Sequence, residues 1–323
     1  MQILVTGAAG FIGSHLAEAL AVQGHTVTGL DCLTGFYDRS QKEAHVDRLA
    51  ARGIEVHRLD LAEDPLQPAL QGVEAVYHLA AQPGLSPQTD RAAYVRNNVR
   101  ATDRLLTALA ECPSLRAFVL ASTSSVYGAE ATGTEDAPLA PISAYGRTKK
   151  RAEELVWAHA QNQDWAACVL RLFSVYGPRE RPDKLIPTAL RCARRGAPFP
   201  LHAGSEHHRR SFTYVADAVE GLVSVLDRLP HCAGETINLG SPTDRTTQDV
   251  LDTVAAVVGR PLCIQRTPAR PGDQQHTRAR IEKARRLLNF RPTTSLREGI
   301  AAEAAWLEHA VPATPVPGVT PGA

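Results

Sequence analysis

Gln2-Ile3-Leu4-Val5-Thr6-Gly7-Ala8-Ala9-Gly10-Phe11-Ile12-Gly13 opens on a short apolar run and continues into glycines at every third position. It leads into a segment with apolar residues at Leu16, Leu20 and Val22. The run predicts a strand and the later spacing an amphipathic helix, so the glycines make the turn between them. Gly7 permits a tight turn, Gly10 lets the backbone approach a ligand, and Gly13 allows close packing of helix on strand. A helix starting here turns free N–H groups and the positive end of its dipole toward whatever lies above the turn, which suits a pyrophosphate.

A second strand, His25-Thr26-Val27-Thr28-Gly29-Leu30, ends at Asp31. That acid follows the glycines by about 20 residues, where a carboxylate accepts hydrogen bonds from a ribose 2′-OH and repels a 2′-phosphate. The stretch therefore predicts NAD rather than NADP. Alternation continues downstream. Residues 54–59 lead to Asp60-Leu61, 75–79 pass through His78-Leu79 to Ala80-Ala81, and 117–121 lead to Ser122-Thr123-Ser124-Ser125. Helices are expected over 90–111 and 145–161, and a strand over 167–173.

This is the pattern of an α/β protein with a Rossmann-type doubly wound parallel sheet, which binds ligands at the carboxyl edge of its strands. Residues 1–177, joined by parts of 210–240, read as the cofactor-binding domain. Residues 178–310, richer in Pro and Arg, read mainly as a smaller substrate-binding domain. The tail 311–323, with its Pro, Gly, Thr and Ala and no apolar period, is expected to be disordered.

Lys and Arg number 35 against 34 Asp and Glu, a net charge of +1, and the two signs are interspersed. That balance predicts no nucleic-acid or membrane partner. No run approaches the roughly 18 apolar residues of a membrane span, and Met1 precedes the first strand directly, which predicts no leader. The six cysteines are scattered without a Cys-x-x-Cys, as in a reduced, cytoplasmic protein. His202, His207 and His208 cluster, but no carboxylate or cysteine stands at ligand spacing beside them, so no metal is expected.

Tyr145 and Lys149 follow the hydroxyl-rich Thr123-Ser124-Ser125-Val126-Tyr127-Gly128 by about 20 residues and share one helical face. A phenol that titrates near pH 10 becomes a base when a positive charge favours its anion. Lys149 is spaced to supply that charge.

These motifs together resemble the extended short-chain dehydrogenase/reductases, specifically the nucleotide-sugar epimerases, dehydratases and decarboxylases. The resemblance runs from Leu4 to about Trp306. It is carried by Gly7, Gly10 and Gly13, by Asp31, Asp60-Leu61, Leu79-Ala80-Ala81, Asn98-Val99 and Thr123 to Gly128, and by Tyr145/Lys149 and Val175-Tyr176-Gly177-Pro178. Arg210-Ser211-Phe212-Thr213-Tyr214-Val215 and Arg270-Pro271-Gly272-Asp273 extend it into the second half. Two departures are Ser211, where the family usually has an acid, and the arginines of Thr277-Arg278-Ala279-Arg280.

The resemblance implies bound NAD held by the glycine turn with Phe11, Ile12, Asp31, Asp60, Leu61, Leu79, Ala80, Ala81, Asn98, Tyr145 and Lys149. It also implies a nucleotide diphosphate gripped by Arg210 and Arg270, whose guanidinium groups match phosphate oxygens. Tyr145 would take the proton of a sugar hydroxyl oriented by Thr123, as hydride leaves the same carbon, giving a 4-ketopyranose. Dehydratases resemble Thr-Asp-Glu and decarboxylases Thr-Ser-Glu at 123–125. Thr123-Ser124-Ser125 lacks both carboxylates and favours a 4-epimerase. Segments 35–42 and 176–183 resemble UDP-glucuronate 4-epimerases, with Arg181, Ser174, Ser124 and Ser125 as a shell for the C5 carboxylate. Competing readings are a neutral UDP-glucose or UDP-N-acetylglucosamine 4-epimerase, a UDP-glucuronate decarboxylase, and a regulatory NAD sensor. Relatives pair as dimers through the Tyr-bearing helix and its predecessor, so a homodimer is implied, with Leu105, Leu106, Leu109, Leu155 and Val156 either in the seam or against the sheet.

Overall fold

The computed structural model describes residues 1–84, 89–161, 163–269 and 273–310; Arg270 and the tail 311–323 lie outside the described residues. Seven strands form one parallel sheet: β1 Gln2–Thr6, β2 Thr26–Leu30, β3 Glu55–His57, β4 Ala75–His78, β5 Ala117–Thr123, β6 Ala166–Leu172 and β7 Glu235–Leu239. Their order is β7-β6-β5-β4-β1-β2-β3. The order reverses at β1, which pairs with β2 on one side and β4 on the other. That switch point is where an open α/β sheet leaves a crevice for ligands. The register brings Thr6, Leu30 and His78 to one level at its mouth.

Both faces of the sheet are covered, which is why the strands read as continuous apolar runs. Side chains alternate between faces along a strand. Ile3 and Val5 join the cluster containing Leu16 and Leu20 of the helix Phe11–Val22 and Leu222 of the helix Val215–Asp227. Leu4 between them joins Leu105, Leu106 and Leu109 of the helix Ala101–Leu109 and Val156 of the helix Ala144–Ala160. Those four side chains face the sheet and are not available to a seam between subunits; Leu155 is only partly buried. A third cluster, with Ile186, Leu190, Val250, Val254 and Ile300, lies within the helices Leu185–Arg195, Thr247–Val258 and Leu296–Ala310.

Two local expectations change. Val22 does not belong to the buried face of its helix: it is the last helical residue and 83% exposed. The helix expected over 90–111 is Arg91–Val95 and Ala101–Leu109 joined by a π-helical turn, Arg96–Arg100. Such turns commonly accompany functional sites, and this one carries Asn97 and Asn98.

Candidate active site

A cleft of about 650 Å³ lies over the carboxyl edge of the sheet. At its floor Gly7 adopts φ +72°, and a Cβ there would lie 2.8 Å from the Ala80 nitrogen; a Cβ on Gly13 would lie 2.1 Å from the Gly7 oxygen. Only glycine satisfies both positions. Gly10 caps the following helix without a side chain, so the first-turn N–H groups stay available where Phe11, Ile12 and Gly13 line the cleft. Asp31 closes this end, its Oδ1 accepting from the Leu33 N–H at 2.8 Å and its Oδ2 from the Ala9 N–H at 3.1 Å. A carboxylate has further lone pairs to offer a ribose. A glycine cradle, an open helix start and an acid at the second strand together fit a dinucleotide.

Asp60, Leu61, Leu79, Ala80 and Ala81 also line the cleft. Asp60 is tied to Arg96 at 2.7 Å. Asn98 is placed differently from expectation. It sits behind the wall, where its Oδ1 accepts from the Gln82 N–H at 2.6 Å and its Nδ2 donates to the Thr148 hydroxyl at 3.0 Å. Its neighbour Asn97 is the residue that lines the cleft.

Tyr145 and Lys149 enter from the helix Ala144–Ala160, whose start is fixed by Ser143 accepting from the Gly146 N–H at 3.0 Å. A Cβ on Gly146 would meet the Ser125 oxygen at 2.5 Å, so this glycine lets the helix press against the Thr123–Ser125 loop. The Thr123 hydroxyl hydrogen-bonds the Tyr145 phenol and favours its anion, as does the Arg181 charge, but burial outweighs both and holds the phenol above its ordinary value. Lys149 is 3% exposed, and burial pulls its ammonium down to about 8 against the opposing pull of Glu153. Glu153 is itself held by Ser122 and by Arg171 at 2.8 Å.

At the far end lie Ser124, Ser125, Ser174, Glu180, Arg181, Lys184 and Arg210. Ser174 and Arg179 take positive φ, 20° and 72°, strain of the kind that persists where surrounding contacts over-determine the backbone. Those contacts include Arg179 to Glu18 at 2.8 Å and His15 Nε2 to the Pro178 oxygen at 2.9 Å. Arg181 is clamped to Asp183 through Nε at 2.9 Å and Nη2 at 2.7 Å, and its guanidinium lies 4.8 Å from the Phe36 ring centroid. Its Nη1 is buried without a hydrogen-bond partner among the described residues.

Of the departures, Ser211 is fully buried and donates to the Ser241 oxygen, while Arg278 and Arg280 bond the backbone oxygens of Pro242 and Thr132. All three act as scaffold. His202 and His208 line the cleft and His207 does not.

Sequence reasoning missed Lys42 and Gln274. The Lys42 ammonium lies 3.8 Å from Asp31 and donates to Thr34 at 3.0 Å. Asp38 at the N-cap of the helix Arg39–Ala50 was the available signal, since it marks the helix start and so places Lys42 in the first turn, close to the strand end that carries Asp31.

Residues 3–240 match the NAD dependent epimerase/dehydratase family, and the chain belongs to that family. Among relatives, it is 37% identical over 313 residues to a Bacillus subtilis (strain 168) protein named as an uncharacterized UDP-glucose epimerase, YtcB, covering 95% of this chain and 98% of that one. It is 34% identical to UDP-glucuronate 4-epimerase 3 of Arabidopsis thaliana, covering 94% and 76%. The crystal structure of UDP-glucuronic acid 4-epimerase from Bacillus cereus, in complex with UDP-glucuronic acid and NAD, superposes with a TM-score of 0.91 at 35% identity, covering 96% of this chain and all of that one.

Proposed function

We propose that the protein is an NAD-dependent nucleotide-sugar 4-epimerase, an isomerase that interconverts UDP-glucuronate and UDP-galacturonate through a 4-keto intermediate. The observation that carries the choice of sugar is Arg181. Its guanidinium is buried at the reacting end of the cleft, acts on Tyr145, and has no hydrogen-bond partner for Nη1 among the described residues. A buried cation with an open donor favours an anionic ligand, and the C5 carboxylate of a uronic acid is one. Ser124, Ser125 and Ser174 line the same stretch and bring further donors.

Thr123 would hold the sugar O4, and Tyr145 would take its proton. NAD, when bound through the glycine cradle, supplies the hydride acceptor for C4 and brings a positive charge toward the buried phenol. Lys149 would hold the nicotinamide ribose and add its own charge below about pH 8. Arg210 and Arg270 would grip the diphosphate. The ketone formed is a β-keto acid, which loses carbon dioxide when its carboxylate stands perpendicular to the carbonyl plane. Arg181 and the serines would hold the group away from that geometry, and positions 124 and 125 carry serine rather than the carboxylate that would assist elimination.

A neutral UDP-glucose substrate is the second reading, favoured by the name of the Bacillus subtilis relative. NMR of products from UDP-glucuronate and from UDP-glucose, without added reductant, separates the two. UDP-galacturonate without carbon dioxide release is expected. Arg181→Ala is expected to slow uronate turnover and to release carbon dioxide; unchanged turnover and products would remove its role.

We further propose a homodimer through the helices Ala101–Leu109 and Ala144–Ala160, whose exposed residues include Asp103, Thr107, Arg151 and Glu154; the mass in solution by light scattering decides it. The cytoplasm is the proposed location, supported by six free cysteines and testable by cell fractionation. No described helix is long and apolar enough to cross a membrane.

A further inference from the structure

Gln274 lines the cleft beside Ser124 and Ser125. Its Nε2 donates to the Gly128 oxygen at 2.7 Å and to the Ser124 oxygen at 3.3 Å, and its Oε1 lies 3.5 Å from both the Ser124 and the Ser125 hydroxyls. The neighbouring backbone follows the same course. The Gln275 N–H donates to the Ala129 oxygen at 3.0 Å, and His276-Thr277 runs parallel to Glu130-Ala131. On its other side the segment receives the Arg209 N–H at the Gln275 oxygen, 2.9 Å, and Arg209 pairs with His276. One side chain thus ties the turn that carries Ser124 and Ser125 to the strand pair that carries Arg210.

We propose that Gln274 is a positioning and specificity-determining residue for epimerisation. Its amide nitrogen clips the backbone of 124–128, so Ser124 and Ser125 keep their register with Thr123 and Tyr145. Its amide oxygen is the resident acceptor for the two serine hydroxyls, keeping them turned into the cleft. At 3.5 Å that contact is long for an O–H···O hydrogen bond, so a charged acceptor on the sugar displaces it readily and accepts the hydroxyl hydrogen bonds in its place. A neutral amide is what this place requires, because a carboxylate there would repel an anionic substituent at C5. The inference rests on the uronate reading for the identity of that substituent.

Gln274→Met keeps the volume and removes all four polar contacts. Its kcat on UDP-glucuronate is expected to fall roughly tenfold to a hundredfold, the scale of a small misplacement of reacting groups. The share of product that has lost carbon dioxide, with the C5–carboxylate bond broken and the pair left on the enolate, is expected to rise. UDP affinity and Tm are expected to stay at the parental values. Gln274→Glu restores the acceptor but adds charge, and is expected to raise KM for UDP-glucuronate while leaving UDP affinity unchanged. Parental kcat, KM and product partition in both variants would overturn the proposal. So would a loss of kcat in Gln274→Met matched by losses of Tm and UDP affinity, which is the signature of a merely structural contact. If the unaltered protein turns over UDP-glucose and ignores UDP-glucuronate, the uronate reading fails, and kcat of Gln274→Met on UDP-glucose still decides the positioning role.

Discussion

At Lys149 catalysis and stability oppose each other. Burial draws its ammonium down to about 8 in the folded protein, below the roughly 10.4 of an exposed lysine. The folded state therefore releases this proton first as pH rises. The cost of burying the charge is fully present below pH 8 and disappears between pH 8 and about 10.4. Lys149→Met is expected to abolish turnover yet stabilise the protein by about 3 kcal/mol at pH 7, from about 1.4 kcal/mol per pKa unit over a shift that already includes the attraction of Glu153. Urea unfolding at pH 7 and pH 10 measures it, and most of the gain should be gone at pH 10. A variant less stable than its parent at pH 7 would mean that the pull of Glu153 outweighs burial. Tyr145 and Lys149 were legible in the sequence because both lie on one helix, where spacing alone fixes proximity. Asn97 and Asn98 show the limit of that reasoning. Which of two adjacent residues faces a cleft depends on the turn they occupy, and a π-helical turn rotates the answer.

Elements follow the same division. The segment from β1 into the helix Phe11–Val22 was readable because strand, turn and helix are local and each glycine has a steric reason. That reason makes a prediction. In Gly13→Ala the new methyl would sit at 2.1 Å from the Gly7 oxygen, with backbone rather than a flexible side chain in the way. The turn must open, and the cradle with it. The variant is expected to purify with less than about a tenth of the parental bound dinucleotide, which takes a loss of at least about 1.4 kcal/mol of affinity, as read by absorbance of the denatured supernatant. Parental occupancy would show that the cofactor does not use this turn. The two-residue strands at Glu130–Ala131 and His276–Thr277 were not legible. Their pairing joins segments far apart in sequence, carries no period, and exists only once the large sheet has placed both, so Gln274 offered no signal of its own.

Across the whole molecule, buried groups set opposing slopes of stability against pH. His78 lies fully buried between Thr6, 2.7 Å from Nδ1, and Thr102, 2.9 Å from Nε2. Thr102 donates its own proton to the Asn98 oxygen, so it accepts from Nε2, and Nδ1 accepts from Thr6. A second imidazole proton has no place, and burial with the nearby Lys149 charge lowers the group to about 3. The unfolded chain binds that proton near pH 6.5 while the fold refuses it, so stability falls as pH drops from about 6.5 toward 3, by about 1.4 kcal/mol per unit. Two buried acids, Glu180 within the 176–184 segment and Glu303 of the helix Leu296–Ala310, tilt the other way. Burial pushes Glu180 up to about 8, and it pushes Glu303, fully enclosed beside it, upward as well. Here the fold keeps protons that the unfolded chain releases above about 4.3, so stability falls as pH rises from there toward 8. Glu303→Gln, neutral at every pH, should match its parent in urea unfolding at pH 4.5 and exceed it at pH 8, while the acid-side slope set by His78 persists in both. Equal destabilisation at both pH values would mean that Glu303 is ionised in the fold and bound to a cation, most directly Arg191, which acts on it from the facing helix. Glu180 directly precedes Arg181 in the chain, and Glu303 lies close enough to Glu180 to act on it. If they do hold a proton, KM for UDP-glucuronate should rise in the parent as that proton is lost toward pH 8, and should rise less in Glu303→Gln.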